Sequence, residues 1–138
     1  MQALLLVAGG GAIGTALRYG VALLLVREDV RDAFPWATFA VNVLGSFLLG
    51  MVAEALAERR IWGVDARAVV GTGMLGGFTT YSSFNLETLR MIEAGEHGKA
   101  GLYVGATLVV CMVAGVLGLI AGRAARRAGG GGVGAGGW

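Results

Sequence analysis

Four long apolar stretches, separated by short polar segments, dominate the chain. They run from Ala3 to Val26, from Trp36 to Ala53, from about Ala68 until Glu87, and from Gly101 to Gly122. An α-helix needs about 20 residues to cross the hydrocarbon core of a bilayer, so each stretch is long enough to span it. The pattern therefore predicts an all-α membrane protein with four transmembrane helices.

Composition supports this prediction and excludes several other classes of protein. Hydrophobic residues make up 56% of the 138 residues and charged residues only 14%, against roughly 25% charged in an ordinary soluble domain. A soluble domain this short exposes too much surface to bury so large an apolar fraction. The single cysteine, Cys111, excludes an intramolecular disulfide framework.

Charge and glycine content indicate the partners and the domain limits. Most of the eleven Lys and Arg residues lie beside acidic residues, and no basic patch alternates with aromatic residues. Nucleic acid is therefore not expected as a partner, whereas a lipid bilayer is. Residues 128–138 are nearly all glycine, so we predict one transmembrane domain over residues 1–127 and a disordered tail after it.

The orientation in the membrane is left open by the positive charges. With four spans both termini lie on one face, which carries six arginines (Arg59, Arg60, Arg67, Arg123, Arg126 and Arg127). The other face carries three or four basic residues (Arg27, Arg31, Lys99 and, at the margin, Arg90). Because orientation follows a clear excess of positive residues, this weak bias allows one orientation with the termini inside or insertion both ways up.

Small residues recur at helical spacing, beginning with Gly10 and Gly14. Such pairs let helix backbones approach closely in lipid. Residues 9–14 also fit the pattern GxGxxG of dinucleotide-binding folds, which requires a strand, a turn, a helix and a second strand with an acidic residue. The uninterrupted apolar stretch around these glycines favours helix packing over a nucleotide site.

Polar side chains form stripes on the predicted helices. Thr38, Asn42 and Ser46 are spaced by four in the second stretch, and Tyr103, Thr107 and Cys111 are spaced by four in the fourth, so each set lies on one helical face. Arg18 is the one charge in the first stretch. It is interpreted either as a structural anchor that binds a helix-end carbonyl or as a direct ligand contact.

The third stretch contains a predicted helix break. Gly76 and Gly77 precede Phe78-Thr79-Thr80-Tyr81-Ser82-Ser83-Phe84-Asn85, and adjacent glycines weaken a helix. Glu54 and Glu87 are placed at span ends, which leaves no carboxylate in mid-span. Uncharged donors and aromatic ring edges suit a small anion. The only histidine, His97, is placed in a loop, so no enzyme is expected.

Three stretches together resemble the CrcB/Fluc fluoride channel family. They are GGAIGTALRY over residues 10–19, WATFAVNVLGSFLLG over residues 36–50, and GTGMLGGFTTYSSF over residues 71–84. The resemblance implies an antiparallel, dual-topology homodimer with two pores, which lets cytoplasmic fluoride leave passively down its electrochemical gradient. It also implies a multi-pass protein of the bacterial inner membrane.

Within that resemblance, individual residues take on expected roles. Asn42 matches the pore asparagine of the family, and Tyr81 and Phe84 match its two pore aromatics, although the first is usually Phe. Ser83 stands where Thr is usual. The expected fluoride path comprises Thr38, Asn42, Tyr81, Ser83, Phe84, Tyr103, Thr107 and Cys111.

The family also implies a structural sodium ion at the helix break. Its expected ligands are the backbone carbonyls of Gly76 and Thr79, doubled by a two-fold axis to four oxygens, which suit a hard cation. The alternative function is a small dual-topology exporter of drugs or cations. That class expects a carboxylate in the first span, where this chain has Arg18.

Overall fold

The structure, a computed structural model, describes residues 1–25 and 34–130. It contains three long helices, α1 (Gln2–Leu25), α2 (Trp36–Ala55) and α5 (His97–Gly130), each long and apolar enough to cross a membrane. Between α2 and α5 lie a two-stranded hairpin and three shorter helical segments. The prediction of an all-α membrane protein is confirmed at this level.

The third apolar stretch is a broken helix, as the sequence predicts. It consists of a π-helix (Ala68–Leu75), α3 (Gly76–Phe78) and α4 (Tyr81–Glu93). The wider π turn is visible in the amide of Gly76, which donates to the carbonyl of Gly71 five residues earlier. Thr79 and Thr80 have extended backbones, with ψ of 156° and 110°. The break therefore lies at these two threonines, just after the paired glycines.

Glycines pack α1 closely against the broken helix. A Cβ atom on Gly10 would lie 2.7 Å from the carbonyl oxygen of Val69, and one on Gly73 would lie 2.6 Å from that of Val7. Gly9 to Gly14 all lie inside the continuous helix α1. The close-packing interpretation of these glycines is therefore confirmed, and the strand and turn that a dinucleotide site requires are not present there.

The helices α2 and α5 pack against each other in the same way. A Cβ atom on Gly118 or Gly122 would clash with the backbone of α2 at Phe47 or Met51. At the end of this pair, Glu54 accepts from Arg123 Nε at 3.0 Å and from Arg126 Nη2 at 3.1 Å. Glycine contacts along the helices and these ion pairs at one end fix the register of α2 on α5.

A β-hairpin replaces the simple connection expected between the second and third apolar stretches. The strands β1 (Arg60–Ile61) and β2 (Val64–Asp65) are antiparallel, and Arg60 pairs with Asp65. Trp62 and Gly63 form the tip with φ of 47° and 82°, which is the geometry of a tight hairpin turn. The hydrogen bond from Arg67 holds the pKa of the Asp65 carboxyl below its usual value.

Two boundaries differ from the sequence prediction. His97 is the first residue of α5 rather than part of a loop, and α5 continues through residues 128–130, which the sequence assigned to the tail. Residues 131–138 of that tail lie outside the described residues, as do residues 26–33, which include Arg27 and Arg31.

Most large apolar side chains face outward. Leu24, Met112 and Leu102 are 84%, 73% and 66% exposed, as expected for helices that lipid surrounds. The buried core is small and lies where α4 meets α5. Its centre is Tyr103, which is fully buried among Met91, Ala100 and the rings of Phe34, Phe39 and Phe84.

Candidate functional site

Asn42 on α2 clamps the helix break. Its Oδ1 accepts from the backbone amide of Thr80 at 2.8 Å, and its Nδ2 donates to the carbonyl oxygen of Thr80 at 3.1 Å. Both hydrogen-bonding groups of an extended residue are thereby satisfied by one side chain. One of the two amide hydrogens of Asn42 is used in this clamp, and the other has no partner in the described residues.

Three carbonyls at the break lose their usual helical donors. In a continuous helix the amides of Thr80 and Ser83 would donate to Gly76 and Thr79. Here the Thr80 amide donates to Asn42 Oδ1, and the Ser83 amide donates to Thr80 Oγ1 at 3.2 Å. The third carbonyl, that of Gly77, accepts from side chains of α1 instead.

Arg18 supplies the closer of those α1 contacts. Its Nε donates to the Gly77 carbonyl oxygen at 3.2 Å, and Thr15 Oγ1 lies 3.5 Å from the same oxygen. This is the geometry of a structural anchor at a helix end. Arg18 also lines a cavity of about 330 Å³ together with Thr38, Thr80 and Ser83, so the geometry accommodates the ligand-contact interpretation as well.

A second cavity, of about 500 Å³, lies on the other side of the break; we call it the groove. Five of the eight predicted path residues line it: Asn42, Tyr81, Phe84, Thr107 and Cys111. Thr107 Oγ1 is buried and has no hydrogen-bond partner among the described residues. Tyr81 at the rim is 77% exposed. The groove thus combines aromatic rings, an unused hydroxyl and the free amide hydrogen of Asn42.

Thr38, Ser83 and Tyr103 do not line the groove. Thr38 and Ser83 lie at the Arg18 cavity, and Tyr103 is buried behind the ring of Phe84, with their ring centroids 5.1 Å apart. Seven of the eight predicted path residues therefore line one of the two cavities, and the eighth, Tyr103, is buried and lines neither.

Glu87 connects Thr38 and Tyr103, a role that the sequence interpretation missed. Its Oε1 accepts from Thr38 Oγ1 and its Oε2 accepts from the Tyr103 hydroxyl, both at 2.7 Å. Glu87 lies in the middle of α4. The signal was available, because Glu87 follows Ser83 by four residues and so shares its helical face.

The groove contains no recognisable enzyme machinery. Within residues 1–25 and 34–130, no group of three or more His, Cys, Asp or Glu side chains is placed to hold a metal ion. His97 lies at the start of α5 and does not line the groove. The groove offers hydrogen-bond donors next to aromatic ring edges, a combination that suits the binding of a small anion.

Comparison with known proteins identifies the family. Residues 5–119 match the family model described as CrcB-like protein, Camphor Resistance (CrcB). The chain belongs to the CrcB family. The matched range of this CrcB chain includes every residue predicted for the site, from Arg18 to Cys111, and it stops within α5.

Curated relatives of this CrcB protein carry the name fluoride-specific ion channel FluC. The relative from Sorangium cellulosum is 46% identical over 114 residues, which cover 83% of this chain and 89% of the relative. The relative from Rhizobium johnstonii is 44% identical over 120 residues, which cover 87% of this chain and 95% of the relative. The relative from Thermus thermophilus is 45% identical over 118 residues, which cover 86% of this chain and 93% of the relative. The resemblance read from the sequence is therefore confirmed.

Proposed function

We propose that this protein is a fluoride-specific channel through which cytoplasmic fluoride leaves down its electrochemical gradient. The observation that carries the proposal is the uncharged, donor-bearing groove beside the Asn42 clamp, in a chain whose relatives are named as fluoride channels. Fluoride is small and strongly hydrated, so a path must replace its water with hydrogen bonds that are weak enough to release it.

The donors of the site fall into two groups. Thr38 and Tyr103 each direct their one hydroxyl hydrogen to Glu87, so these hydrogens are not available to an anion while the carboxylate holds them. Thr107 and the second amide hydrogen of Asn42 have no partner in the described residues. We assign the first contacts with fluoride to this second group, assisted by the ring edges of Tyr81 and Phe84.

The decisive test is fluoride efflux from liposomes that contain the purified protein, followed with a fluoride electrode. We expect rapid efflux once the charge is balanced by a potassium ionophore, no efflux of chloride, and no dependence on a proton gradient. Efflux that requires a proton gradient, or transport of organic cations without fluoride, would instead support the exporter alternative. Membership of the CrcB family and the presence of Arg18 in the first span, where that alternative expects a carboxylate, speak against it.

We further propose that two copies assemble as an antiparallel homodimer with two pores. The groove is open along one side, and Tyr81 at its rim is largely exposed. In a bilayer, lipid tails would leave the Thr107 hydroxyl and the Asn42 amide without partners, which is costly. A second copy laid over the groove would cover these groups and complete the wall of the path.

Dual topology has a direct labelling test. A side chain at Gly98 would meet open space, so we choose Gly98→Cys in a Cys111→Ala background as a single reporter thiol. In intact cells or vesicles, a membrane-impermeant thiol reagent should label about half of the reporter, with the rest labelled after permeabilisation, as equal numbers of the two orientations require. Labelling that is complete from one side would refute dual topology without affecting the proposed channel function.

We also propose that a structural sodium ion binds at the break. The carbonyls of Gly76 and Thr79 have lost their helical donors because the amides of Thr80 and Ser83 bond elsewhere. Oxygen ligands of this kind suit a hard monovalent or divalent cation, and a two-fold axis would double them. The ion would supply a fixed positive charge at the centre of the dimer, where it holds the two breaks together.

The sodium proposal is tested through the Thr80 hydroxyl. Thr80→Val removes the acceptor of the Ser83 amide, which then becomes free to bond the Thr79 carbonyl as in an ordinary helix. We expect replacement of sodium by N-methylglucamine to weaken dimer association in the parent protein and to do so less in Thr80→Val. Dimer association that is indifferent to sodium in the parent would refute the proposal.

We place the protein in the inner membrane of a bacterium as a multi-pass protein. Three apolar helices and the broken third stretch support several crossings. The relatives named above come from bacteria. Fractionation of cells that express a tagged chain would test the location, because recovery in the outer-membrane or soluble fraction would contradict it.

A further inference from the structure

The end of the bundle that carries the hairpin has features that fluoride passage does not use. The tip residue Trp62 is 76% exposed. Its carbonyl accepts from Gln2 Nε2 at 3.1 Å, which ties the tip to the first turn of α1, and Arg60 Nη1 donates to the Gly63 carbonyl at 3.0 Å. These bonds hold the tryptophan outward at the depth where the first apolar helix begins.

Arginines outnumber acidic residues at this end of the bundle. We call the set Arg59, Arg60, Arg67, Arg123, Arg126 and Arg127 the basic rim. The acidic residues at this end are Glu54, Glu58 and Asp65, of which Glu54 is bound to two rim arginines and Asp65 to one. Six positive charges against three negative ones leave this end clearly positive.

Two rim arginines have no partner among the described residues, and the side chain of a third, Arg60, bonds only the uncharged Gly63 carbonyl there. In the part of the chain that the structure describes, the side chains of Arg59 and Arg127 have no ion-pair or hydrogen-bond partner. Arg59 lies between two adjoining cavities of about 370 and 320 Å³, one shared with Arg126 and the other with Arg60 and Arg67. Glu58 lines both cavities and offsets part of their charge.

We propose that the basic rim and Trp62 together bind the headgroups of anionic phospholipids. Guanidinium groups pair well with phosphate, and basic clusters next to membrane spans attract anionic lipid. A soluble anion would account for the arginines but not for the exposed ring, whereas tryptophan prefers the headgroup region of a bilayer. The proposal needs the chain to be in a membrane, but it does not depend on what the groove conducts.

Fluorescence quenching at Trp62 tests the proposal. The chain has three tryptophans, so the protein with Trp36→Phe and Trp138→Phe reports from Trp62 alone. It is reconstituted into vesicles with brominated phosphatidylglycerol or brominated phosphatidylcholine, and relative binding at the tip is obtained from the quenching. We expect preferential quenching by the anionic lipid, and equal quenching by the two lipids would overturn the proposal.

Variants identify the groups responsible. Arg59→Gln is expected to lower the preference for anionic lipid about fivefold, because each basic residue near a membrane contributes roughly 1 kcal/mol. Arg127→Gln is a second variant with the same expected effect should the first fail to fold. Arg90→Gln on α4, an exposed arginine at the opposite end of the bundle, is the matched control and should change nothing. An equal loss in the control would also overturn the proposal.

Inorganic phosphate distinguishes a lipid site from a site for free anions. The quenching is repeated with phosphate added at constant ionic strength, so that general screening does not change. Phosphate should not displace the brominated anionic lipid from Trp62. Displacement at millimolar phosphate would show that the rim takes a soluble anion, and the assignment to lipid would be wrong.

Discussion

Replacing Asn42 by aspartate separates the two functions of this side chain. In the parent protein, Asn42 Oδ1 lies 2.8 Å from the Thr80 amide nitrogen and Nδ2 lies 3.1 Å from the Thr80 carbonyl oxygen. An aspartate can still accept from the amide, but it cannot donate to the carbonyl. Loss of that donor leaves a part-buried carbonyl unpaired at a cost of about 1–3 kcal/mol. It also puts a negative charge where we expect an anion to pass.

The added charge is the larger effect on conduction. Two like charges about 4 Å apart repel by about 4 kcal/mol at an effective dielectric constant of about 20. If that repulsion raises the barrier, the rate falls roughly a thousandfold. Asn42→Asp should therefore reduce fluoride efflux from liposomes to near the background of empty vesicles.

Asn42→Ala is the informative comparison, because it removes both hydrogen bonds to Thr80 and adds no charge. We expect Asn42→Ala to be the less stable variant in thermal denaturation and Asn42→Asp to be the less conductive. If Asn42 served only to hold the break, the alanine variant would be worse in both measurements. Efflux near the parent rate from correctly folded Asn42→Asp would refute the role of Asn42 in the path.

Three further substitutions test packing and donor assignment. Gly10→Ala should destabilise the protein by about 1–3 kcal/mol, because the added methyl group would meet the Val69 carbonyl. Gly9→Ala is the control, because a methyl group there would meet open space and should not destabilise the protein. Thermal denaturation distinguishes the two variants. Thr107→Val removes an unpartnered buried hydroxyl, so stability should be unchanged or higher while efflux falls, and an unchanged efflux would contradict the donor assignment. Tyr103→Phe leaves Glu87 Oε2 without its donor and should cost about 1–3 kcal/mol in stability, which unfolding in detergent would measure.

Much of the helical architecture could be predicted because bilayer length and helical period constrain it strongly. The long apolar stretches correspond to α1, α2 and α5, and the paired glycines precede the break at Thr79 and Thr80. The glycine spacing predicted close helix contacts but not their partners. Gly10 and Gly118 do pack on neighbouring backbones, whereas Gly101 and Gly105, at the same spacing, have nothing near them in the part of the chain that the structure describes.

The hairpin could not be predicted because its strands are only two residues each. Period-two patterning needs four or more residues to be recognised, and Arg60 to Asp65 mixes charged and apolar residues without such a pattern. Its turn residues, Trp62 and Gly63, do not match the usual Asn-Gly signature. The carbonyl of Trp62 is held instead by Gln2, a contact across 60 residues of sequence.

The role of Glu87 was missed for a different reason, which bears on how the site works. Counting spans by hydropathy treats a carboxylate as a boundary, because an unpaired charge in lipid is costly. In the structure, both oxygens of Glu87 are hydrogen-bonded, to Thr38 and Tyr103, so its cost inside the helix bundle is reduced. The spacing of polar residues along a helix identifies hydroxyl groups on one face, but it does not show which acceptors their hydrogens bond. A hydroxyl hydrogen that a carboxylate holds is not free for an anion. Thr38 and Tyr103 are held in this way by Glu87, whereas Thr107 has no hydrogen-bond partner in the described residues, so we predict that Thr107 is the hydroxyl that meets the ion.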